Sequence, residues 1–133
     1  MPADQLVRVT VCAKRNPKLT EEEFNDHWVK KHGLLITGWL KTHGCVKYVQ
    51  YQTKSSYKSR LTSDTMPYDG IADFWYKSYE DFERAYGDEY YVNVVRKDEE
   101  YLFDMLSLAI TTGVERVVIE DGKTARQDGE VKD

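Results

Sequence analysis

The amino-acid sequence predicts a single α+β domain, a four-stranded antiparallel sheet with two helices on one face, in the order β-α-β-β-α-β. Three observations carry this. Four segments alternate apolar and polar residues with the two-residue period of a strand. Two others open with a capping hydroxyl and continue as an apolar stripe at helical spacing. A long polar stretch divides the chain into two β-α-β halves. The length of 133 residues suits one domain.

Residues 6–14 place Val7, Val9 and Val11 on one face. Apart from Arg8, the other face (Leu6, Thr10, Cys12) is also fairly apolar, so this strand calls for cover on both sides. Pro17 ends the strand region because it has no N–H for a ladder. Thr20 and Glu23 form a capping box, the hydroxyl accepting from the third helical N–H and the Glu reaching back. The helix opened there carries Phe24, Trp28, Leu35 and Trp39 on one face. Gly33 and Gly38 interrupt it and predict a bend or break after His32, and Gly44 supplies its stop. Residues 45–53 alternate again as a second strand. Residues 55–69 are polar, contain Pro67 and have no sustained period, which predicts a long loop of the kind that binds or covers ligands.

Residues 70–77 read as the third strand. Ser78 and Asp81 repeat the capping logic for a helix with Tyr79, Phe82 and Tyr86 on its apolar stripe. A further helical stretch is predicted after Gly87, to about Phe103. Residues 106–119 form the last strand, bent at Gly113. Residues 1–120 make up the domain, and 121–133 a charged tail predicted to be disordered. This is the split β-α-β, ferredoxin-like arrangement. Two helices cover one sheet face only. The apolar strand residues on the other face predict pairing with a second copy, hence a homodimer.

The chain is 41% hydrophobic and 13% aromatic, and its charged residues, 32% of the total, leave a formal net charge of -4. No concentrated basic face exists to neutralise phosphates, which argues against nucleic acid. The nearest basic run, Lys30-Lys31, shares its helix with Glu21, Glu22 and Glu23 and reads as a solvated face. No apolar run approaches the roughly 20 residues of a membrane span. The first residues show neither the basic nor the apolar segment of a secretory signal. A cytoplasmic protein with Cys12 and Cys45 as reduced, partly buried thiols is therefore expected.

The run from Lys14 to Gly33, KRNPKLTEEEFNDHWVKKHG, resembles the signature of EthD-like proteins. Asp69 to Trp75 (DGIADFW) and Ser78 to Phe82 (SYEDF) are similar to that family's third strand and second helix. Asp98-Glu99-Glu100 and Phe103-Asp104 resemble its usual ending, so the likeness spans Leu6 to about Val114. His43 to Tyr51 (HGCVKYVQY) most resembles a subgroup from fungal polyketide gene clusters, described as decarboxylases of aromatic polyketide acids. The resemblance implies a dimeric α/β barrel, no metal or organic cofactor, and a role in secondary metabolite biosynthesis. Relatives on this fold also include cyclases, dehydratases and cofactor-independent anthrone oxygenases, and fold alone does not choose among them.

All three histidines lie on or just beyond the first helix. On a wheel of about 100° per residue, with Phe24 at zero, Trp28 falls near 40°, Trp39 near 60° and His32 near 80°. His32 therefore projects among buried aromatics, where burial favours the neutral ring a general base requires. His27 falls near 300°, on the opposite flank, about 140° from His32 and poorly placed to share a metal with it. His43 follows the glycines and stands where the second strand begins, within reach of a ligand between helix and sheet. Tyr48 and Tyr51 point to opposite faces of the second strand, so only one looks toward the helices. Asp73, flanked on its face by Ile71 and Trp75, either faces solvent or orients a His or Arg8. Asp69 opens the third strand at the mouth of the loop. Trp28, Trp39 and Trp75 offer flat walls for a planar ligand.

The sequence contains no dinucleotide fingerprint, phosphate loop, nucleophile elbow or zinc-type His/Cys spacing, and so predicts neither cofactor nor metal. The resemblance implies a lyase acting on a small aromatic or polyketide substrate, foremost by decarboxylation, and these residues supply its candidate groups. His32 or His43 would deliver the proton, with His27 and Asp73 as further candidates. Arg8, Lys47 or Tyr48 would hold the carboxylate or a phenol, and Tyr51, Asp69 and the tryptophans would complete the site. Dehydration or cyclisation, cofactor-free oxygenation of an anthrone, and ligand binding without turnover are the alternatives.

Overall fold

A computed structural model describes residues 5–125 of the chain. Residues 1–4 and 126–133 lie outside the described residues, and with them most of the segment read for a secretory signal and the far part of the predicted tail.

The chain runs through β1 (Val7–Ala13), α1 (Glu21–His27), a π-helical turn (Trp28–His32) and α2 (Gly33–Thr42). It continues through β2 (Cys45–Gln52), the single turn α3 (Ser55–Lys58), β3 (Gly70–Tyr76) and α4 (Tyr79–Tyr86). A second π-helical turn (Tyr91–Val95), α5 (Arg96–Leu102) and a 3₁₀ turn (Met105–Ser107) then lead to β4 (Ala109–Val114). β1, β2, β3 and β4 form one antiparallel sheet in the order β2-β3-β1-β4. This is the ferredoxin-like α+β fold that the two β-α-β halves predict.

Strand pairing sorts side chains into two sets, because opposed residues share a face. Val9 opposite Phe74, Val11 opposite Ala72, and Tyr48 opposite Phe74 face the helices. There they join Phe24, Trp28, Ile36, Val95 and Leu102 in a fully buried core. Arg8 opposite Trp75, Thr10 opposite Asp73, and Tyr51 opposite Ile71 face the other way. Gly70 is required where α1 crosses β3. A Cβ there would lie 2.9 Å from Phe24 Cζ and 3.0 Å from Trp28 Cη2, both in rigid buried rings.

Both capping sites form: Thr20 Oγ1 accepts from Glu23 N while Thr20 N donates to Glu23 Oε1, and Ser78 Oγ accepts from Asp81 N. The helix does not break after His32. It widens before Gly33, whose N–H reaches the carbonyl of Trp28, five residues back. The same carbonyl accepts from Gln50 Nε2 at 2.9 Å, so a side chain from β2 is wedged against the widened turn. A Cβ at Gly33 would crowd that amide at 3.3 Å, which explains the glycine without a break.

The last strand is shorter than residues 106–119, because Asp104 caps the 3₁₀ turn before it, accepting from Leu106 N. Beyond Val114 the chain forms a small hairpin, β5 (Ile119–Glu120) and β6 (Lys123–Thr124). Its turn residues Asp121 and Gly122 have positive φ, the geometry of a tight two-residue turn. The hairpin spans position 120, where the domain was expected to end.

The face away from the helices is not the apolar surface expected. Val49, Tyr51 and Ile71 lie on it, but its centre holds Asp73, which accepts from Arg8 Nε at 2.9 Å and from Thr10 Oγ1. Trp75 is enclosed there between Arg8 and Lys47, whose charges lie 5.4 and 4.7 Å from its ring centre, and its indole N–H donates to Glu115.

Candidate functional site

Asp98, in the first turn of α5, joins two of the histidines. His32 Nδ1 lies 2.7 Å from its Oδ2, and His27 Nε2 lies 2.9 Å from its Oδ1. Burial alone would raise the Asp98 carboxyl, but hydrogen bonds and charge from His32 and His27 outweigh it and hold the carboxyl below its ordinary range. An ionised carboxylate only accepts, so both facing ring nitrogens carry hydrogen. In the neutral form of His32 this sets the tautomer, with Nε2 as the proton acceptor.

His32 is 4% exposed and lines a small cavity between helices and sheet, with Trp28, Tyr48, Phe74, Tyr86 and Glu99 among its walls. The space is about 20 Å³, room for one water. Glu99, also buried, accepts a hydrogen bond from Tyr91 Oη at 3.0 Å. Burial pushes its carboxyl above the ordinary range, although Tyr91 and His32 pull the other way. Burial likewise pushes the Tyr48 hydroxyl up to about 12 and that of Tyr86 well above its usual value, so both stay protonated donors. Tyr48 stacks on Phe74 and accepts from Gln50 Nε2 at 2.9 Å. The Tyr76 hydroxyl, on a residue with no exposed surface, has no hydrogen-bond partner among the described residues, a cost of roughly 1–3 kcal/mol.

His27 does not point away from His32. A π-helical turn closes with hydrogen bonds between residues five apart, so it turns residues 27 and 32 toward one side. The wheel that separated them assumed regular α-helix throughout. His27 also packs its ring against Tyr101, with centres 4.7 Å apart. His43, at the end of α2, is outside the cavity. Its Nε2 lies 2.8 Å from Asp88 Oδ2 and lowers that carboxyl.

Of the remaining candidates, Trp28 and Tyr48 reach the cavity. Trp39 is structural, its indole donating to Ala85 O at 2.8 Å and its ring stacked on Tyr91. Asp69 clamps Arg15 through both the backbone N–H and the guanidinium, at 2.9 and 3.0 Å. Asp73, Arg8, Trp75 and Tyr51 lie on the other face of the sheet, so the sheet separates them from His32. Two larger depressions occur on that side. One, of about 600 Å³, runs beside Arg8 and β4, and the other, of about 470 Å³, lies under residues 51–71. Neither contains a histidine, and their titratable groups lack the burial that prepares His32 and Glu99. Among the described residues no cluster of three or more His, Cys, Asp or Glu can hold a metal ion. Cys12 and Cys45 are free thiols whose ionisation burial opposes.

The sequence reading missed Asp98 and Glu99 as site residues. A signal existed for Glu99: Tyr91, Val95, Glu99 and Leu102 are spaced four, four and three apart, which sets a carboxyl inside an apolar helical stripe.

A protein-family comparison matches residues 16–105 to the EthD domain. Dehydratase aurZ of Gibberella zeae is 27% identical over 132 residues, covering 94% of this chain and 87% of that protein. The conidial pigment biosynthesis dehydratase EthD of Metarhizium robertsii is 27% identical over 126 residues, covering 90% and 89%. Decarboxylase AgnL1 of Paecilomyces divaricatus is 23% identical over 132 residues, covering 94% and 89%. Among solved structures, an EthD-family protein of Bacillus halodurans superposes with a TM-score of 0.61 at 12% identity, covering 84% of this chain and 99% of that one. A ferredoxin-like protein of Mesorhizobium loti, described as of the DABB family, gives 0.54 at 14% identity, covering 85% and 99%. At such identity these two structures speak to the fold alone.

Proposed function

This chain belongs to the EthD domain family, and on that premise we propose that it is a lyase of secondary metabolism whose proton-transferring group is His32. The observation that carries the reading is the His32–Asp98 pair. A carboxylate 2.7 Å from Nδ1 leaves Nε2 to accept a proton, on a ring that lines an aromatic cavity. A neutral imidazole so placed takes a proton from carbon next to a carbonyl. The names of the relatives, two dehydratases and one decarboxylase, favour carbon–oxygen or carbon–carbon cleavage over other chemistry.

Between these, the geometry favours elimination of water from an aromatic polyketide. Decarboxylation wants a cation to hold the substrate carboxylate, and Arg8 and Lys47 are on the wrong face of the sheet. Among the described residues the cavity walls include no Arg or Lys to hold a substrate carboxylate. A ring system does not fit within about 20 Å³, so the walls must part to admit it. The π-helical turn Trp28–His32 contributes Trp28 and His32 to these walls.

The test is turnover of aromatic β-hydroxyketones and of their carboxylic acids, followed by mass under air and under argon. Loss of water independent of oxygen is expected. Loss of carbon dioxide instead establishes the decarboxylase, a requirement for oxygen establishes the oxygenase, and binding without a change of mass establishes a ligand carrier. His32→Gln should lower turnover by about 10²–10⁴, and wild-type turnover per folded molecule would overturn the role of His32.

A further inference from the structure

An elimination moves two protons, and His32 accounts for only one. We propose that Glu99 is the general acid of the reaction, delivering its proton to the departing hydroxyl while Tyr91 positions the carboxyl. This rests on the reading of His32 as the base. The placement comes from α5, where neighbouring residues serve the two ends of the same chemistry. Asp98 fixes the ring of His32, and the next residue, about 100° around the helix, enters the same cavity as that ring. Tyr91 Oη donates to Glu99 Oε1, which leaves the other carboxyl oxygen to carry the proton.

The step balances without a co-reactant. Nε2 of His32 takes the hydrogen from the carbon beside the carbonyl, and that C–H pair becomes the new C=C bond. The C–O bond breaks with its electrons going to oxygen, which receives the Glu99 proton and leaves as water. The site then holds imidazolium and carboxylate in one cavity, and a proton passed from one to the other restores both. A carboxyl held protonated at neutral pH is what such a donor must be. The groups that face it are consistent with this. Burial by Val95, Leu102 and the cavity walls favours the neutral form, and Asp98 adds to it. His32, Arg96 and the Tyr91 hydroxyl act against it but do not prevail, while the neutral hydroxyls of Tyr86 and Tyr48 stand nearby.

Glu99→Gln keeps the size of the side chain and removes the proton. Its turnover should fall by about 10²–10⁴, with binding of the dehydrated product and the melting temperature undiminished. Wild-type turnover should decline on the alkaline side as Glu99 ionises, and this limb should vanish in Glu99→Gln. Tyr91→Phe removes a donor that stabilises the carboxylate, so it should move the limb to higher pH. A measurement independent of substrate is the infrared band of a protonated carboxyl at neutral pH, present in the wild type and missing in Glu99→Gln. Absence of that band from the wild type, or wild-type turnover in Glu99→Gln, overturns the assignment. If His32→Gln abolishes turnover while Glu99→Gln does not, only the acid is wrong. If His32→Gln stays active, the base fails, whatever Glu99 does.

Discussion

Replacing Asp98 by Asn tests how His32 is prepared, because the change keeps shape and deletes the shared charge. His32 Nδ1 and His27 Nε2 approach separate oxygens at 2.7 and 2.9 Å. An amide offers one acceptor and one donor group in their place, so at most one ring keeps its present tautomer. If His32 turns its hydrogen to Nε2, it no longer accepts a proton from substrate. Turnover should then fall by about 10²–10⁴, which corresponds to roughly 3–5 kcal/mol in the barrier. Asp98 is only 19% exposed in its side chain, so solvent weakens the lost interaction little. Losing one charge-assisted bond costs about 1.5–3 kcal/mol, or ~6–12 °C in melting temperature for a chain of this length. Turnover per folded molecule, measured below the variant's melting temperature, separates the two effects. A lowered melting temperature with wild-type turnover would show that Asp98 only holds α5 against α1, and the tautomer reasoning would fail.

Gly70→Ala should destabilise by about 1–3 kcal/mol, since the new methyl meets two rigid rings at 2.9–3.0 Å, and denaturant unfolding measures it. The two carboxyls of α5 should affect stability with opposite sign. Asp98, held below its ordinary 3.8, stabilises the fold above that value and loses the contribution as pH falls through its folded value. Glu99, held above its ordinary 4.5, costs stability as pH rises from 4.5 toward its folded value, so Glu99→Gln should raise the melting temperature at neutral pH and have no effect near pH 4. Asp73→Asn should leave turnover near wild type, because Asp73 lies across the sheet from His32, and a loss comparable to that of Asp98→Asn would relocate the site to the open face. Sedimentation should give twice the 15.6 kDa of the chain if the open faces of two sheets pair, and a monomer at micromolar concentration refutes that pairing.

The fold was legible because its signals are local. Thr20 with Glu23 and Ser78 with Asp81 mark the helix starts by chemistry confined to four residues, and the strand period separates Tyr48 from Tyr51 without tertiary knowledge. The relation of His27 to His32 was not legible, because the widening that brings them together depends on Gln50, in a different element, reaching the Trp28 carbonyl. The open face was legible only in part, because the sequence leaves Asp73 a choice among solvent, a histidine and Arg8. Asp73 looks costly in an apolar strand until Arg8, 65 positions away, is paired with it. Asp98 carries no periodic signal, because its partners are fixed only when α5 docks on α1.

The alternation of the strands bears on the dehydration proposed above. Ala72 and Phe74 line the cavity with His32 and Glu99, while Asp73 between them turns to Arg8 and Thr10 on the other face. Lys47 and Tyr48 divide in the same way, the lysine covering Trp75 and the tyrosine stacking on Phe74. A shift of one residue in the register of β2 would exchange them and place a cation beside His32. The bulge between Cys45 and Lys47 shows that the pairing of this strand adjusts at that end. In the register observed, the cavity keeps a hydroxyl and a carboxyl and is denied the lysine. That selection suits a neutral substrate leaving as alkene and water, and it disfavours an anionic one.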